Sequence, residues 1–343
     1  MTTAEKKIKI IDNFDPNNPG VAGNIFGLPF DQEVSEIILI PVPWDVTVSY
    51  SEGTHQGPAA ILNASPQIDY YLPDHPEAWK KGIFMLPINN DWQETNHKLR
   101  PLAKNYIEAL EAGANINPFV PDLQRINQAC EHLHKQVKES ALVLLNEGKT
   151  VGVVGGEHSV PLGLMQALAE KGEFGILQID AHADLREAYE GFTYSHASIM
   201  YNALQIPQLK KIVQVGIRDI CETEVALANI EQVDIFYDQK IKEQQFYGKQ
   251  WAEICEEIVA ALPRRVYVSF DIDGLQPWLC PNTGTPVPDG LTFSEAVFLL
   301  KLIKKSGRSI IGFDLCEVSP GQDEWDANVG ARVLYQLCAI AGN

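Results

Sequence analysis

The stretch GILQIDAHAD, residues 175–184, decides the fold, because an apolar run leads directly into three ionisable side chains. Residues 176–179 read Ile-Leu-Gln-Ile, which is typical of a buried parallel strand reaching its carboxyl end. In extended backbone, residues two apart point to one face, so Asp180, His182 and Asp184 are expected to project together. Two buried carboxylates beside an imidazole are costly unless a positive charge compensates them. The spacing therefore predicts a divalent metal at this strand end.

Two further apolar runs end in residues of the same kind. The run 265–270, RVYVSF, is followed by Asp271 and Asp273, and the run 150–154, TVGVV, is followed by GGEHS with His158. Parallel sheets form their sites at the carboxyl ends of the strands, so the three ends are expected to share one site. A lone Asp-x-Asp is often only a helix cap or a turn, but three such ends together favour metal binding.

Strands alternate with helical patterns along most of the chain, which predicts an α/β fold with a mostly parallel central sheet. A single three-layer domain is favoured over two, because the metal-type residues must meet although they lie far apart in sequence. The first 35 residues are expected to form an N-terminal arm and residues 36–343 the catalytic domain. Residues 69–121, rich in aromatic residues and prolines, predict an insertion with its own short elements. The predicted strands are 36–41, 150–154, 176–179, 211–216, 233–237, 265–270 and 309–315, and the predicted helices start near 57, 122, 160, 199, 250, 292 and 327.

The composition is that of an ordinary globular protein of 343 residues, with 45% hydrophobic and 21% charged residues. The formal net charge of −18 argues against nucleic acid as a partner and favours a small cation. No apolar run approaches the roughly 20 residues of a membrane span. The N-terminus lacks the apolar segment of a secretory signal, so a cytoplasmic protein with six reduced cysteines is expected.

The candidate ligands are more numerous than one metal ion needs. They comprise four carboxylates and two imidazoles: His158, Asp180, His182, Asp184, Asp271 and Asp273. Four negative charges balance two divalent cations, and shared carboxylates would bridge them. Oxygen-rich ligands without thiolate favour Mn²⁺ over Zn²⁺, while the imidazoles leave Ni²⁺ open as an alternative. Two metals roughly 3.5–4 Å apart can lower the pKa of a shared water towards 7.

The motifs together resemble those of the arginase/agmatinase (ureohydrolase) family, in its order and spacing. The matching segments are GGEHS (155–159), DAHADLR (180–186), YSHAS (194–198), SFDIDGLQP (269–277), TGTPVPDG (283–290) and EVSP (317–320). The resemblance implies an arginase-like fold and a binuclear-metal hydrolase that releases urea and an amine from a guanidino compound. It also implies a homo-oligomer, either a trimer or a hexamer.

The resemblance further implies a role for each site residue. His158 and Asp184 would hold one metal, His182 and Asp273 the other, and Asp180 and Asp271 would bridge. His196 would carry a proton to the leaving amine, a task that suits an imidazole with a near-neutral pKa. Glu317 would pair with the substrate guanidinium. From the residues alone, an exposed loop histidine would be the simpler interpretation of His196.

The loop after DAHAD, LREAYEGFTYSHAS, resembles the agmatinase branch and lacks an Asn-rich carboxylate clamp. Its Glu187 and Glu190 are expected to attract a distal amine. Three departures from the family pattern, Glu157, Gln276 and Ser319, remove no ligand, and two of them, Gln276 and Ser319, bear on the substrate. If the insertion covers the site mouth and shrinks it, free guanidine or a short guanidino acid stays open as the substrate. An inactive metal-binding homologue that serves as a subunit or binder is the remaining alternative.

Overall fold

One parallel sheet of eight strands runs through the centre of the molecule, in the spatial order β2-β1-β3-β8-β7-β4-β5-β6. The computed structural model describes residues 1–228 and 230–342. The strands are β1 (Ile37–Val42), β2 (Ile83–Met85), β3 (Thr150–Gly155), β4 (Phe174–Ile179), β5 (Leu209–Ile217), β6 (Val233–Tyr237), β7 (Arg265–Asp271) and β8 (Ser309–Cys316). Every neighbouring pair is parallel, so the predicted α/β fold with a parallel central sheet is confirmed.

Helices cover both faces of the sheet and complete the three-layer arrangement. The first face packs α2 (Gly57–Ala64), α8 (Asp238–Phe246), α9 (Trp251–Ala261), α10 (Phe293–Lys305) and α11 (Trp325–Ile340). The second packs α3 (Asn90–Glu111), α4 (Val120–Asn146), α5 (Leu162–Ala169), α6 (Ile199–Leu204) and α7 (Glu222–Ala228). Strand residues feed the two cores alternately: Leu177 and Ile179 join the first, Phe174 and Ile176 the second.

The N-terminal segment lies on the first face. Its helix α1 (Thr3–Asn13) buries no residue completely and contacts the core through Ile10 and Ile11. Phe26, Leu28 and Phe30, further along, are fully buried. Residues 1–35 are thus fixed to the catalytic body mainly by this aromatic and aliphatic cluster.

Residues 69–121 contribute to the central architecture. Their strand β2 pairs with β1 at the edge of the sheet, and their 22-residue helix α3 packs on the second face. The Asn89 side chain caps α3 by accepting a hydrogen bond from the Asp91 N–H at 2.9 Å. Pro101 lies inside this helix, where a proline removes one backbone hydrogen bond.

Local sequence signals explain several element ends. Thr292, at the predicted start of α10, is its N-cap: it accepts a hydrogen bond from the Glu295 N–H at 3.1 Å, and Glu295 accepts one from the Thr292 N–H at 2.8 Å. The six cysteines are all free, five of them buried. Within residues 1–228 and 230–342, no helix combines the length and the apolar character that crossing a membrane requires.

Candidate metal centre and catalytic cleft

A first group of site residues surrounds His158, which follows β3 at the carboxyl edge of the sheet. Its Nδ1 atom lies 2.9 Å from Asp180 Oδ2, 3.1 Å from Asp184 Oδ2 and 3.3 Å from Asp271 Oδ2. All four side chains are buried. Residues contributed by the ends of β3, β4 and β7 therefore meet at one point, as the positions of the motifs predicted.

A second group surrounds His182. Its Nδ1 atom lies 3.1 Å from Asp273 Oδ2 and 3.6 Å from Asp180 Oδ1. Two sets of side chains have ligand atoms close enough to hold an ion, His158 with Asp180 and Asp184, and Asp180 with His182 and Asp273. The sets share Asp180, and their division matches the pairing that the resemblance implied. Asp271 approaches the His158 group.

Residues 180–184 do not follow the alternation of an extended strand that the sequence predicted. Extended backbone would place His182 and Asp184 in the same group, but β4 ends at Ile179 and the two side chains serve different groups. Asp184 has φ of +54°, a left-handed conformation that is unusual for a residue other than glycine. This turn, rather than strand alternation, brings the Asp184 carboxylate to His158.

The electrostatics of the cluster demand positive charge. Burial, with Asp273 and Asp180 adding to it, raises the pKa of Asp271 well above its usual range. Burial and the Asp180 charge raise the pKa of Asp184 to about 7. Burial opposes protonation of His182, but Asp273 and Asp180 outweigh it and raise its pKa to about 12. Without a bound metal, protons neutralise the negative charge of these carboxylates. Divalent cations can replace those protons.

The hydrogen bonds of His158 fit a metal ligand. Its Nε2 atom lies 2.9 Å from Ser269 Oγ, and the Ser269 hydroxyl donates to Asp314 Oδ2 at 2.9 Å. The Nδ1 atom is buried and makes no hydrogen bond of acceptable geometry, despite the nearby carboxylates. An Nε2–H tautomer leaves the Nδ1 lone pair free for a cation. Burial raises the pKa of the Cys316 and Cys280 thiols, so oxygen and nitrogen atoms form the donor set.

A buried polar row lies directly beneath the two groups, and the sequence analysis missed it. The row runs in register across four strands and consists of Gln214, Gln178, Ser269 and Asp314. Gln178 Nε2 donates to Asp180 Oδ2 at 2.7 Å, while Asp314 also accepts from the Tyr267 hydroxyl at 2.7 Å. The detectable signal was the presence of polar residues in otherwise apolar buried strands.

Glu317 follows β8 with φ of +63° and is buried. Its Oε1 atom accepts a hydrogen bond from the His158 N–H at 2.8 Å, whereas its Oε2 atom has no hydrogen-bond partner. A β-carbon built on Gly284, which lines the cleft, would lie 3.4 Å from that oxygen. Burial raises the pKa of Glu317 well above its usual range, and a bound cation would favour the carboxylate form.

His196 begins a short 3₁₀ turn and faces the cleft. Its backbone N–H donates to Thr47 Oγ1 at 3.4 Å. Burial, helped by the charge of His182, lowers the pKa of His196 to about 3. The near-neutral pKa expected from the sequence is therefore corrected downwards, because the imidazole is desolvated and lies near other cations.

A cleft of about 420 Å³ opens onto the second group. Its walls include Ser49–Ser51, His182, Asp184, Arg186, Tyr189, His196, Asp219, Glu224 and Gly284–Val287. Glu187 and Glu190, expected to attract a distal amine, do not line it. Glu224 accepts hydrogen bonds from the Leu185 and Cys221 N–H groups, both at 3.0 Å. Asp219, with a side chain 70% exposed, is the carboxylate at the open end.

Two of the three departures from the family pattern, Gln276 and Ser319, do not line this cleft. Gln276 Oε1 accepts a hydrogen bond from Trp278 Nε1 at 2.8 Å. Ser319 is buried, and its Oγ atom would lie 2.8 Å from a β-carbon placed on Gly53, whose φ of +127° favours glycine. Ser319 thus contacts the loop that carries one cleft wall.

Comparison with known proteins agrees with these features. The Arginase family model matches residues 35–339. N(1)-aminopropylagmatine ureohydrolase of Thermus thermophilus is 32% identical over 312 residues, covering 90% of this chain and 92% of the relative. Agmatinase of Bacillus anthracis is 29% identical, covering 86% and 87%. The agmatine ureohydrolase structure from Thermoplasma volcanium has a TM-score of 0.71 at 22% identity and covers 97% of both chains; this likeness concerns the fold.

Proposed function

Since the chain belongs to the arginase family of guanidino carbon–nitrogen hydrolases, we propose that its substrate is agmatine-like. Such a substrate joins a guanidinium through an alkyl chain to an amine and has no α-carboxylate. Its hydrolysis releases urea and a second amine. The overall anionic character of the chain, with a net charge of −18, favours a dicationic substrate.

The observation that carries this proposal is the half-paired carboxylate of Glu317. One oxygen is fixed by the His158 N–H, and the other has no partner and lies beside Gly284 of the cleft wall. A buried carboxylate oxygen without a partner is costly, and a guanidinium N–H is the donor best suited to pair with it. Glu317 would therefore bind the guanidinium next to the metal ligands.

The His/Asp cluster would provide the metal site of the protein. His158, Asp184 and Asp180 would hold one cation, and His182, Asp273 and Asp180 the other, with Asp271 as the second bridge. Two such cations, when bound, lower the pKa of a shared water and polarise the guanidinium. The oxygen-rich donor set favours Mn²⁺, with Ni²⁺ as the alternative.

His196 would supply the proton that the leaving amine needs. It faces the cleft, and its low pKa keeps the imidazole neutral at pH 7, so that it would first accept the proton that the attacking water gives up. A protonated imidazole of low pKa is a strong acid and passes that proton on readily. The Thr47 contact at its backbone N–H holds the turn from which the ring projects.

The open end of the cleft would bind the distal amine. Asp219 lies there with a largely exposed side chain, and its Oδ2 atom is 4.0 Å from His182 Nε2. Glu224 adds negative charge, although backbone N–H groups already occupy both of its oxygens. A cleft of about 420 Å³ is far larger than free guanidine requires, which favours a longer substrate.

A guanidino acid is the second candidate, and Arg186 is the observation that favours it. This side chain lines the cleft with its guanidinium carbon 4.7 Å from the centre of the Tyr189 ring. A cation there could pair with a substrate carboxylate. Arg186 is also 3.8 Å from Glu224 Oε2, which offsets part of its charge.

Urea release by protein reconstituted with Mn²⁺ or Ni²⁺ tests these proposals. Agmatine, arginine, guanidinobutyrate and guanidine would be compared by kcat/KM. We expect agmatine to lead. A preference for guanidinobutyrate would assign Arg186 the recognition role, and a preference for arginine or guanidine would contradict the agmatine proposal. No urea from any of them would favour the inactive homologue.

A further inference from the structure

Helix α3 does not line the cleft itself, but it contacts a loop that does. Asn96, Arg100 and Lys104 are spaced four residues apart and form one stripe along the helix. Asn96 and Arg100 are buried, at 1% and 8% exposure, which is unusual for such polar residues on a helix packed against a sheet. All three make contacts with the loop 45–52, which follows β1.

Asn96 fixes the beginning of that loop. The Asp45 N–H donates to Asn96 Oδ1 at 2.7 Å, and Asn96 Nδ2 donates to Asp45 Oδ1 at 2.9 Å. The other Asp45 oxygen accepts from the Gly53 N–H at 3.0 Å. One carboxylate therefore joins α3 to the first residue of the loop and to Gly53, which follows directly after the loop.

Arg100 fixes the middle of the loop. Its Nη1 atom donates to the carbonyls of Val46 and Val48, at 3.0 and 2.7 Å, and Nη2 donates to Glu52 at 3.3 Å. Lys104 also lies 3.3 Å from the Glu52 carboxylate. A planar guanidinium that holds two carbonyls two residues apart defines the backbone between them, which a lysine ammonium cannot do equally well.

The opposite side of the loop is held by the sheet. Glu157 accepts hydrogen bonds from the Thr47 N–H at 2.7 Å and from the Thr47 hydroxyl at 2.8 Å. Residues 49–51, which follow directly, form one wall of the cleft. No residue of 69–121 lines the cleft, so this segment does not shrink the mouth of the site, contrary to the possibility raised by the sequence.

We propose that α3 is the positioning element that sets the 49–51 wall and thereby the length of guanidino compound that fits between Glu317 and Asp219. The proposal rests on the proposed function for its substrate class. The contacts of Asn96 and Arg100 with loop 45–52 are part of the fold. They determine the position of residues 49–51, and neither side chain touches the substrate.

The test compares Arg100→Lys with the control Lys98→Ala. Lys98 lies on the same helix, and its ion pair with Glu94 is exposed. Hydrogen exchange of residues 45–52 should rise in Arg100→Lys and stay at the wild-type level in Lys98→Ala. Metal content should be unchanged in both. Unchanged hydrogen exchange of residues 45–52 in Arg100→Lys would show that Arg100 does not hold the loop and would overturn the proposal.

Selectivity is measured with ω-aminoalkylguanidines of two to six methylenes. Arg100→Lys should change the ratio of kcat/KM between long and short members by about 5- to 10-fold, as expected for the loss of one typical hydrogen bond. An equal loss for all members would show a merely structural role and contradict the proposal. If Arg100→Lys fails to fold, Asn96→Ser is measured in the same way.

The failure of the proposed function would be recognisable separately. If the wild type releases no urea from these compounds, their dissociation constants can be measured by calorimetry on the intact metal-loaded protein. The same 5- to 10-fold change in the long-to-short ratio would then support the positioning role, and no change would overturn it.

Discussion

The two ligand groups of the candidate metal centre differ in how the fold surrounds them. The His158 side chain is 1% exposed, and the hydrogen-bonded pair Ser269 and Asp314 supports it from the sheet. The His182 side chain is 24% exposed and faces Asp219 at the open end of the cleft. One group is thus embedded in the sheet and the other faces the solvent, although both share Asp180. We therefore propose that the embedded group anchors the centre, while the open group adjoins the substrate.

Asp180→Ala should have the largest effect, because it removes the ligand that both groups share. Wild-type protein reconstituted with Mn²⁺ or Ni²⁺ should bind about two equivalents, and Asp180→Ala about none. Asp184→Ala, which leaves the open group intact, is the control and should retain about one. Metal analysis after dialysis measures this. A wild-type stoichiometry of one would refute the binuclear interpretation.

Asp271→Ala sharpens the assignment of the second bridge. Because Asp271 is proposed above to bridge both metals, Asp271→Ala should retain fewer metal equivalents than Asp184→Ala. Its carboxylate lies 3.3 Å from His158 Nδ1, within the embedded group. If Asp271→Ala lost only the embedded metal and matched Asp184→Ala, Asp271 would belong to that group alone.

Glu317→Gln should strongly weaken catalysis while both metals stay bound. Removing one partner of a desolvated charge pair costs on the order of 2–5 kcal/mol, which applies to kcat/KM for a guanidinium substrate. Glu187→Gln is the matched control, because that carboxylate does not line the cleft. Equal kcat/KM for Glu317→Gln and Glu187→Gln would show that Glu317 does not bind the guanidinium.

His196→Ala probes the open side and should lower turnover by roughly 10²–10⁴-fold, as general acid–base groups do. His196 makes none of the close contacts that define the two ligand groups, so both metals should remain bound. Turnover and metal content are measured on the same samples. A loss of metal in parallel with activity would mean that His196 is a ligand.

The sequence was informative where one residue type repeats at a defined spacing. The apolar runs located every long strand, because buried parallel strands are almost wholly apolar. The same regularity placed His158, Asp180 and Asp273 at one edge of the sheet. The family resemblance then supplied the division into two groups, which spacing alone could not give, because Asp184 leaves the extended conformation.

Other features could not be predicted because they depend on tertiary contacts. Helix α3 contains Pro101, which argues against a helix in local terms, and β2 has only three residues. Asp219 belongs to the cleft because β5 lies next to β4, an adjacency that no local signal reveals. Gln178 and Gln214 look like interruptions of apolar strands until the register places them side by side.

Asp314→Asn should produce the smallest of these effects and distinguish the two groups directly. The Asp314 carboxylate accepts from Ser269, so the Ser269 oxygen is free to accept from His158 Nε2–H. An amide could donate to Ser269 instead and turn the hydroxyl towards His158, which would favour the Nδ1–H tautomer and block the metal lone pair. Replacing such a supporting residue typically lowers metal affinity about 10- to 100-fold.

The metal affinity of each group has to be measured while the other group is disabled. In an Asp273→Ala background the embedded group is the intact one. Adding Asp314→Asn should then lower its metal affinity about 10- to 100-fold, as measured by competition with a chelator. In an Asp184→Ala background the open group is intact, and the same substitution should leave its affinity nearly unchanged, because His182 faces Asp219 rather than the polar row. Tyr267→Phe, which removes one donor to Asp314 but keeps the carboxylate, should weaken the embedded group less. Equal weakening in both backgrounds would mean that Asp314 stabilises the strand ends generally, and the contrast between an embedded and an open group would lose its structural basis.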